Sequence, residues 1–212
     1  MGFLRHSRAL RQAVDILAEN RLVPRRILER RETTRRRFLA THVQPGGIGA
    51  EIGVQKGFFT HAILRTVEPQ RLHLVDPWYL LGEKWDWATT NQSTTTALRN
   101  IIHWFRKELA RGDVVIHIGF AARVLADFPD NYFDWVYLDT SHSYEDTLEE
   151  LKVLGSKVKE NGIILGDDWF SAPGHKFYGQ YRAINEFVSG SDYRIVASSD
   201  ADHQWALKRA KR

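Results

Sequence analysis

Four side chains in two short strings carry chemistry: Asp139 and His142 in VYLDTSH, and Asp167 and Asp168 in IILGDDW. Each string follows an apolar run that reads as a buried strand, so all four residues sit where strands end. In an open α/β sheet, ligands collect outside the carboxyl ends of the strands. Three carboxylates there suit a hard cation, Mg²⁺ or Mn²⁺, which takes oxygen ligands and keeps positions open for water or substrate. The imidazole three residues after the first acid adds a proton acceptor. Singly, these residues could be strand-end caps, a solvated acid and a helix cap. Together, at these spacings, they point to an enzyme. Tyr144 and Trp169 flank the cluster as candidate substrate contacts.

The elements that must position this cluster alternate along the chain. Strand patterns cover Ile48–Val54, Arg71–Val75, Val114–Ile118, Phe133–Leu138 and Gly162–Leu165. Helical patterns cover Gly57–Val67, about Ser93 to Ala110, 120–126, Tyr144–Val158 and 176–188. Repeated β-then-α with near-continuous apolar strands predicts a mostly parallel sheet covered on both faces, a three-layer αβα arrangement. The last two strands, Tyr193–Ala197 and His203–Leu207, lack a helix between them, so the seven-stranded sheet is expected to finish in an antiparallel hairpin. Phe58, Phe59, Phe105 and Trp135 read as core, and His61, His73, His103 and His117 as packing or surface histidines. An insertion, Pro77–Asn91, carries Trp78, Trp85 and Trp87, which could form an acceptor lid, with Trp78 touching substrate, or a subunit contact.

Composition narrows the class. The 212 residues contain no cysteine, which removes disulfides, thiolate zinc sites and cysteine nucleophiles. No apolar stretch approaches the roughly 18 residues of a spanning helix, and the first residues are too charged for a signal peptide, so a cytosolic, membrane-free protein is expected. The net charge of +4 conceals an arm: residues 1–37 hold 11 Arg and 4 acids. Such an arm invites a nucleic-acid reading. Leu10, Val14 and Leu17 recur at helical spacing, and a second helix is expected over Pro24–Phe38. That favours an amphipathic pair lying on the core or on a second subunit, because no aromatic or glycine residues interleave the arginines as in RNA binders. Residues 1–44 are therefore read as an Arg-rich helical arm and 45–212 as one catalytic domain.

Glu51-Ile-Gly53-Val54-Gln-Lys-Gly57 closes the first strand and opens a helix. Glycines there let the backbone approach a ligand, and the helix N-terminus offers N–H donors. The dinucleotide pattern G-x-G-x-x-G fails at its third glycine, where Ile52 stands. What remains, E-x-G-x-x-x-G, resembles the first motif of class I S-adenosylmethionine (SAM)-dependent methyltransferases. Asp76 ends the second strand, where an acid can accept both ribose hydroxyls.

The acids and histidine make the resemblance more specific. LDTSHSYEDTLEEL is similar to the macrocin/mycinamicin-type sugar O-methyltransferases and the cephalosporin-hydroxylase-like family, over roughly residues 45–207. That resemblance implies a Rossmann-like methyltransferase fold, SAM as methyl donor, and Mg²⁺ (or Mn²⁺) on Asp139, Asp167 and Asp168. It implies His142 as general base, where catechol-type enzymes carry a lysine. It also implies a cofactor cradle of Glu51, Gly53, Val54, Gly57, Asp76, Gly119, Phe120, Ala121 and Asp139. Catechol-type relatives tend to carry a serine near Ala121. The implied acceptor is a small-molecule or oligosaccharide hydroxyl, a methylated mannoside of polysaccharide biosynthesis being one candidate. A catechol-type acceptor is the enzymatic alternative, and a nucleic-acid methyltransferase or binder using the arm is the other.

Overall fold

The structure is a computed structural model that describes residues 33–81 and 91–210. The expected helices before residue 33, and Trp85 and Trp87, lie outside the described residues. Seven strands form one sheet: β1 (Ile48–Ile52), β2 (Arg71–Asp76), β3 (Val114–Ile118), β4 (Phe133–Leu138), β5 (Val158–Gly166), β6 (Tyr193–Ser199) and β7 (Gln204–Arg209). Their order is β3-β2-β1-β4-β5-β7-β6. β1 to β5 are parallel, while β7 runs antiparallel to both β5 and β6. The terminal hairpin expected from the missing helix is present. This is the Rossmann-like class I methyltransferase arrangement.

Helices cover both faces, as near-continuous apolar strands require. On one face α1 (Thr33–His42), α2 (Phe58–Thr66) and α3 (Asn91–Trp104) bury Leu39, Phe59, Ile63 and Ile101 against Leu72, Leu74, Trp135 and Tyr137. On the other, α5 (Ala121–Ala126), α6 (Tyr144–Lys157) and α7 (Tyr178–Ser189) bury Leu125, Leu151, Leu154 and Ile184 against Ala50, Ile52, Val136 and Ile164. Alternate strand residues thus feed opposite layers.

The helix expected over residues 93–110 is two helices, α3 and a short α4 (Arg106–Arg111). Between them Phe105 leaves helical geometry at φ −102°, ψ 19°, and its fully buried ring meets His61 at 4.6 Å. α1, placed in the arm by sequence, sits on the core through Leu39 and Val43.

Candidate active site

The chain runs from β1 outward to β2 and β3, then crosses back to β4 and β5, so a crevice opens between the carboxyl ends of β1 and β4. β4 and β5 pair with Leu138 opposite Gly166. Asp139 and Asp167 therefore leave the sheet side by side. The backbone then turns through the left-handed region at His142 (φ 59°) and Asp168 (φ 58°). For non-glycine residues this conformation costs about 1–3 kcal/mol each and gathers at functional sites. It brings His142 Nε2 to 3.1 Å from Asp168 Oδ2 and 3.5 Å from Asp139 Oδ1.

The other imidazole nitrogen is held by a residue that sequence reasoning missed. Gln180, buried on α7, faces His142 Nδ1 with its Oε1 at 2.7 Å, while its Nε2 donates to the Asp167 carbonyl. Only the amide nitrogen can donate to a carbonyl, which fixes the amide orientation. Oε1 then accepts from Nδ1–H, which turns Nε2 toward the two carboxylates. Nothing in the local sequence around Gln180 signals this role, because it depends on α7 packing against the β5 end.

Arg35 was also missed as a site residue. It projects from α1 and donates from Nη2 to Asp139 Oδ2; its Nε lies 3.0 Å from Asp167 Oδ2 and 3.2 Å from the Tyr137 hydroxyl. The guanidinium lies over the Phe59 ring at 4.4 Å and near the Tyr137 ring at 5.3 Å. A signal existed: Arg35, Leu39 and Val43 share i, i+4 spacing, which puts this one arginine on the inward stripe while Arg36 and Arg37 face outward. Asp167 is further engaged at Oδ1 by Gln204 Nε2, and Trp205 Nε1 donates to its carbonyl at 2.9 Å. Burial pushes the Asp167 carboxyl above the usual range, with Arg35 opposing it.

The cofactor-side residues line the neighbouring strand ends. Gly53 has φ 86°, and a Cβ there would lie 1.8 Å from the Asp139 carbonyl oxygen, so only glycine lets the β1 and β4 ends meet. Asp76 is buried and accepts from the Val54, Gln55 and Trp78 backbone N–H groups at 2.8–2.9 Å. It thereby shapes the loop it was expected to share with a ribose. Burial raises its pKa, against the pull of those three bonds. Glu51 is buried and accepts from Thr60 Oγ1 at 2.5 Å, fastening β1 to α2. Gly57, in the left-handed region at φ 74°, stands immediately before α2. Gly119 and Ala121 close the β3 end, and the exposed Phe120 ring stands beside them.

Two of the three aromatic residues expected near substrate are buried in the core. Trp78 is fully buried, with Nε1 donating to the Gln55 carbonyl at 2.9 Å. Trp169 is buried in the second core, edge-on to Tyr181 at 4.9 Å. Tyr144 bonds Glu186 on α7 through its hydroxyl. The ring beside His142 is instead Phe177, at 4.6 Å, followed by Phe170 stacked between His175 and His203. A cavity of about 830 Å³ opens at the opposite end of the sheet, lined by His42, Asp134, Lys159 and Lys208 among others. None of the site's acids or His142 reaches it, so side-chain chemistry and not cavity size locates the site.

A family model described as a methyltransferase domain matches residues 50–169, more than half of the chain. The chain belongs to this methyltransferase family. No curated protein matches the methyltransferase in sequence. Solved structures share its fold. An Aquifex aeolicus SAM-dependent methyltransferase is 12% identical at TM-score 0.56, covering 82% of this chain and 87% of that one. A Corynebacterium glutamicum protein is 11% identical at TM-score 0.59, covering 99% and 93%. A Streptococcus mutans protein solved with S-adenosylhomocysteine is 11% identical at TM-score 0.53, covering 81% and 92%. Family and fold together make this a class I SAM-dependent methyltransferase. Among the described residues, no helix is long and apolar enough to cross a membrane.

The donors can be tested against the expected divalent cation. Asp139, His142 and Asp168 each offer an atom within 4.8 Å of the others. The two carboxylates are oxygen donors that could hold Mg²⁺, with His142 Nε2 beside them. Asp167 lies outside this group, its carboxylate turned to Arg35 and Gln204.

Proposed function

We propose that the methyltransferase transfers the SAM methyl group to a sugar hydroxyl, with Asp139 and Asp168 holding Mg²⁺ and His142 acting as general base. The observation that carries this reading is the placement of His142, with Gln180 on Nδ1 and the acid pair facing Nε2, the nitrogen assigned as proton acceptor. A bound Mg²⁺ supplies Lewis acidity that lowers the pKa of a coordinated hydroxyl. SAM supplies a methyl on a sulfonium, which leaves with the electron pair of the S–CH₃ bond.

The chain's own residues do the rest. Nε2 takes the hydroxyl proton as the oxygen forms its bond to the methyl carbon. Asp139 and Asp168 then stabilise the imidazolium, as opposite charges at 3–4 Å do. Glu51 and Asp76 hold the loop that receives the cofactor, and Phe120 offers its ring to the adenine. Phe177 forms an apolar wall beside the base, which excludes water and offers a face to a sugar ring. A hard, oxygen-seeking cation leaves Nε2 uncoordinated and basic, which is why Mg²⁺ fits a histidine base better than Zn²⁺.

A methyl-donor assay across sugars, methylated mannosides and catechols, with and without Mg²⁺, tests the reading. Transfer to a sugar that EDTA abolishes and Mg²⁺ restores is the expected result. Transfer confined to catechols, or untouched by EDTA, overturns the acceptor or the metal part respectively.

A further inference from the structure

The acid cluster contains a fixed cation of its own. Three carboxylates (Asp139, Asp167 and Asp168) share the strand ends with one guanidinium, Arg35, leaving two negative charges that one divalent ion would cancel. Arg35 is not a surface group that happens to reach inward. Its side chain is 18% exposed, its plane lies over Phe59, and its helix is anchored by Leu39 and Val43 in the core. It engages one oxygen of Asp139 and one of Asp167, and Gln204 takes the other oxygen of Asp167. What stays turned toward His142 is the second oxygen of Asp139 and a carboxylate oxygen of Asp168.

We propose that Arg35 is a positioning residue that divides the acid cluster, committing Asp167 to a protein ion pair and leaving Asp139, Asp168 and His142 to face the cation and acceptor. The proposal rests on the metal-assisted reading given above and adds which acid stays out of the coordination sphere. It also assigns a task to the helix that joins the basic N-terminal segment to the catalytic domain. Two physical consequences follow. Arg35 repels a second cation, so the site binds divalent ions more weakly than three bare carboxylates would. And because both oxygens of Asp167 are already engaged by Arg35 and Gln204, its loss matters less to the ion than the loss of Asp168.

The test is Mn²⁺ binding to the full chain, read by the loss of the free-ion EPR signal, with folding checked by circular dichroism. Arg35→Met is expected to bind Mn²⁺ about 10-fold more tightly than wild type, since one repelling charge is gone. Arg35→Lys keeps the charge but loses the planar fork and the ring stacking, and is expected to fall between wild type and Arg35→Met. Asp168→Asn is expected to cost at least about 10-fold more affinity than Asp167→Asn. A residue that only anchored α1 would give weaker binding in both arginine variants, and that result overturns the proposal. So does equal loss in the two aspartate variants, which keeps the proposal falsifiable even if Arg35→Met fails to fold. If wild type binds no Mn²⁺, the metal reading itself fails and takes the proposal with it; wild-type binding with the wrong variant order sinks only the proposal.

Discussion

His142 is placed to act by contacts on both ring nitrogens, and each contact can be removed separately. His142→Ala removes the proposed proton acceptor and is expected to lower methyl transfer by roughly 10²–10⁴-fold. The rise in melting temperature on adding S-adenosylhomocysteine should be unaltered, which separates catalysis from cofactor binding. Gln180→Leu leaves the imidazole in place but unties Nδ1, and a loss of roughly 10–100-fold is expected. Metal choice follows from the same atom: Zn²⁺ prefers nitrogen more than Mg²⁺ does and would capture Nε2. Enzyme stripped with EDTA should regain activity with Mg²⁺ and not with Zn²⁺; equal rescue by Zn²⁺ would refute His142 as the base. At this scale the sequence pointed to Asp139, His142 and Asp168 but not to Gln180 or Arg35. The first three lie on two short strings, while the last two come from helices 38 residues after and 104 residues before their partners.

Among the elements, the loop after β1 is the least tolerant. Gly53 combines a left-handed φ with a backbone neighbour where a Cβ would stand. Gly53→Ala is expected to destabilise the fold by about 3 kcal/mol or more, since neither chain can yield without breaking the β1–β4 junction. Thermal melting checks this, and a drop of under a degree would show that the junction relaxes. α6 shows what local patterning can and cannot reveal. Its N-terminus is capped by Ser143, whose hydroxyl accepts from the Asp146 N–H. Its Glu150, by contrast, looks like an exposed helical acid in sequence and is buried in the structure, bonded by Thr140 Oγ1 at 2.7 Å. The break at Phe105 was likewise invisible, because apolar periodicity runs straight through it.

For the whole molecule, buried titratable groups set the pH range of stability. Burial first, with nearby Asp146 and Glu149 adding and Thr140 opposing, pushes Glu150 from 4.5 up to about 8. Below pH 4.5 both folded and unfolded chains hold this proton and it costs nothing. As pH rises toward 8 the unfolded chain releases it while the folded chain retains it, so stability falls across that window. Glu150→Gln should therefore raise the melting temperature at pH 8, by the equivalent of a few kcal/mol at most, and leave it unchanged near pH 4.5. Gains of equal size at both pH values would refute the assignment. His73 acts from the other side. Burial, then His117 and Arg71, lower it from 6.5 to about 4, and its ring is bonded to His117 at 2.8 Å and to the Tyr132 hydroxyl at 3.1 Å. The unfolded chain takes up this proton below pH 6.5 while the folded chain resists, so stability falls as pH drops from 6.5 toward 4. His73→Gln should flatten that acid limb in urea titrations at pH 5 and pH 7.

The sequence alone determined the layered fold, its terminal hairpin and the strand ends at which the acids stand. Those follow from periodicity, from the missing last helix and from acids placed directly after apolar runs, all local signals. Only the tertiary structure decided which acids converge. Asp167 and Asp168 are neighbours in the chain, yet a single left-handed turn at Asp168 sends one carboxylate to His142 and leaves the other with Arg35. Likewise Trp78 and Trp169 read as site aromatics but lie in the core, while Phe177 stands beside the base. Spacing in sequence locates a strand end; the direction a side chain takes from it depends on what the opposite elements bring within reach.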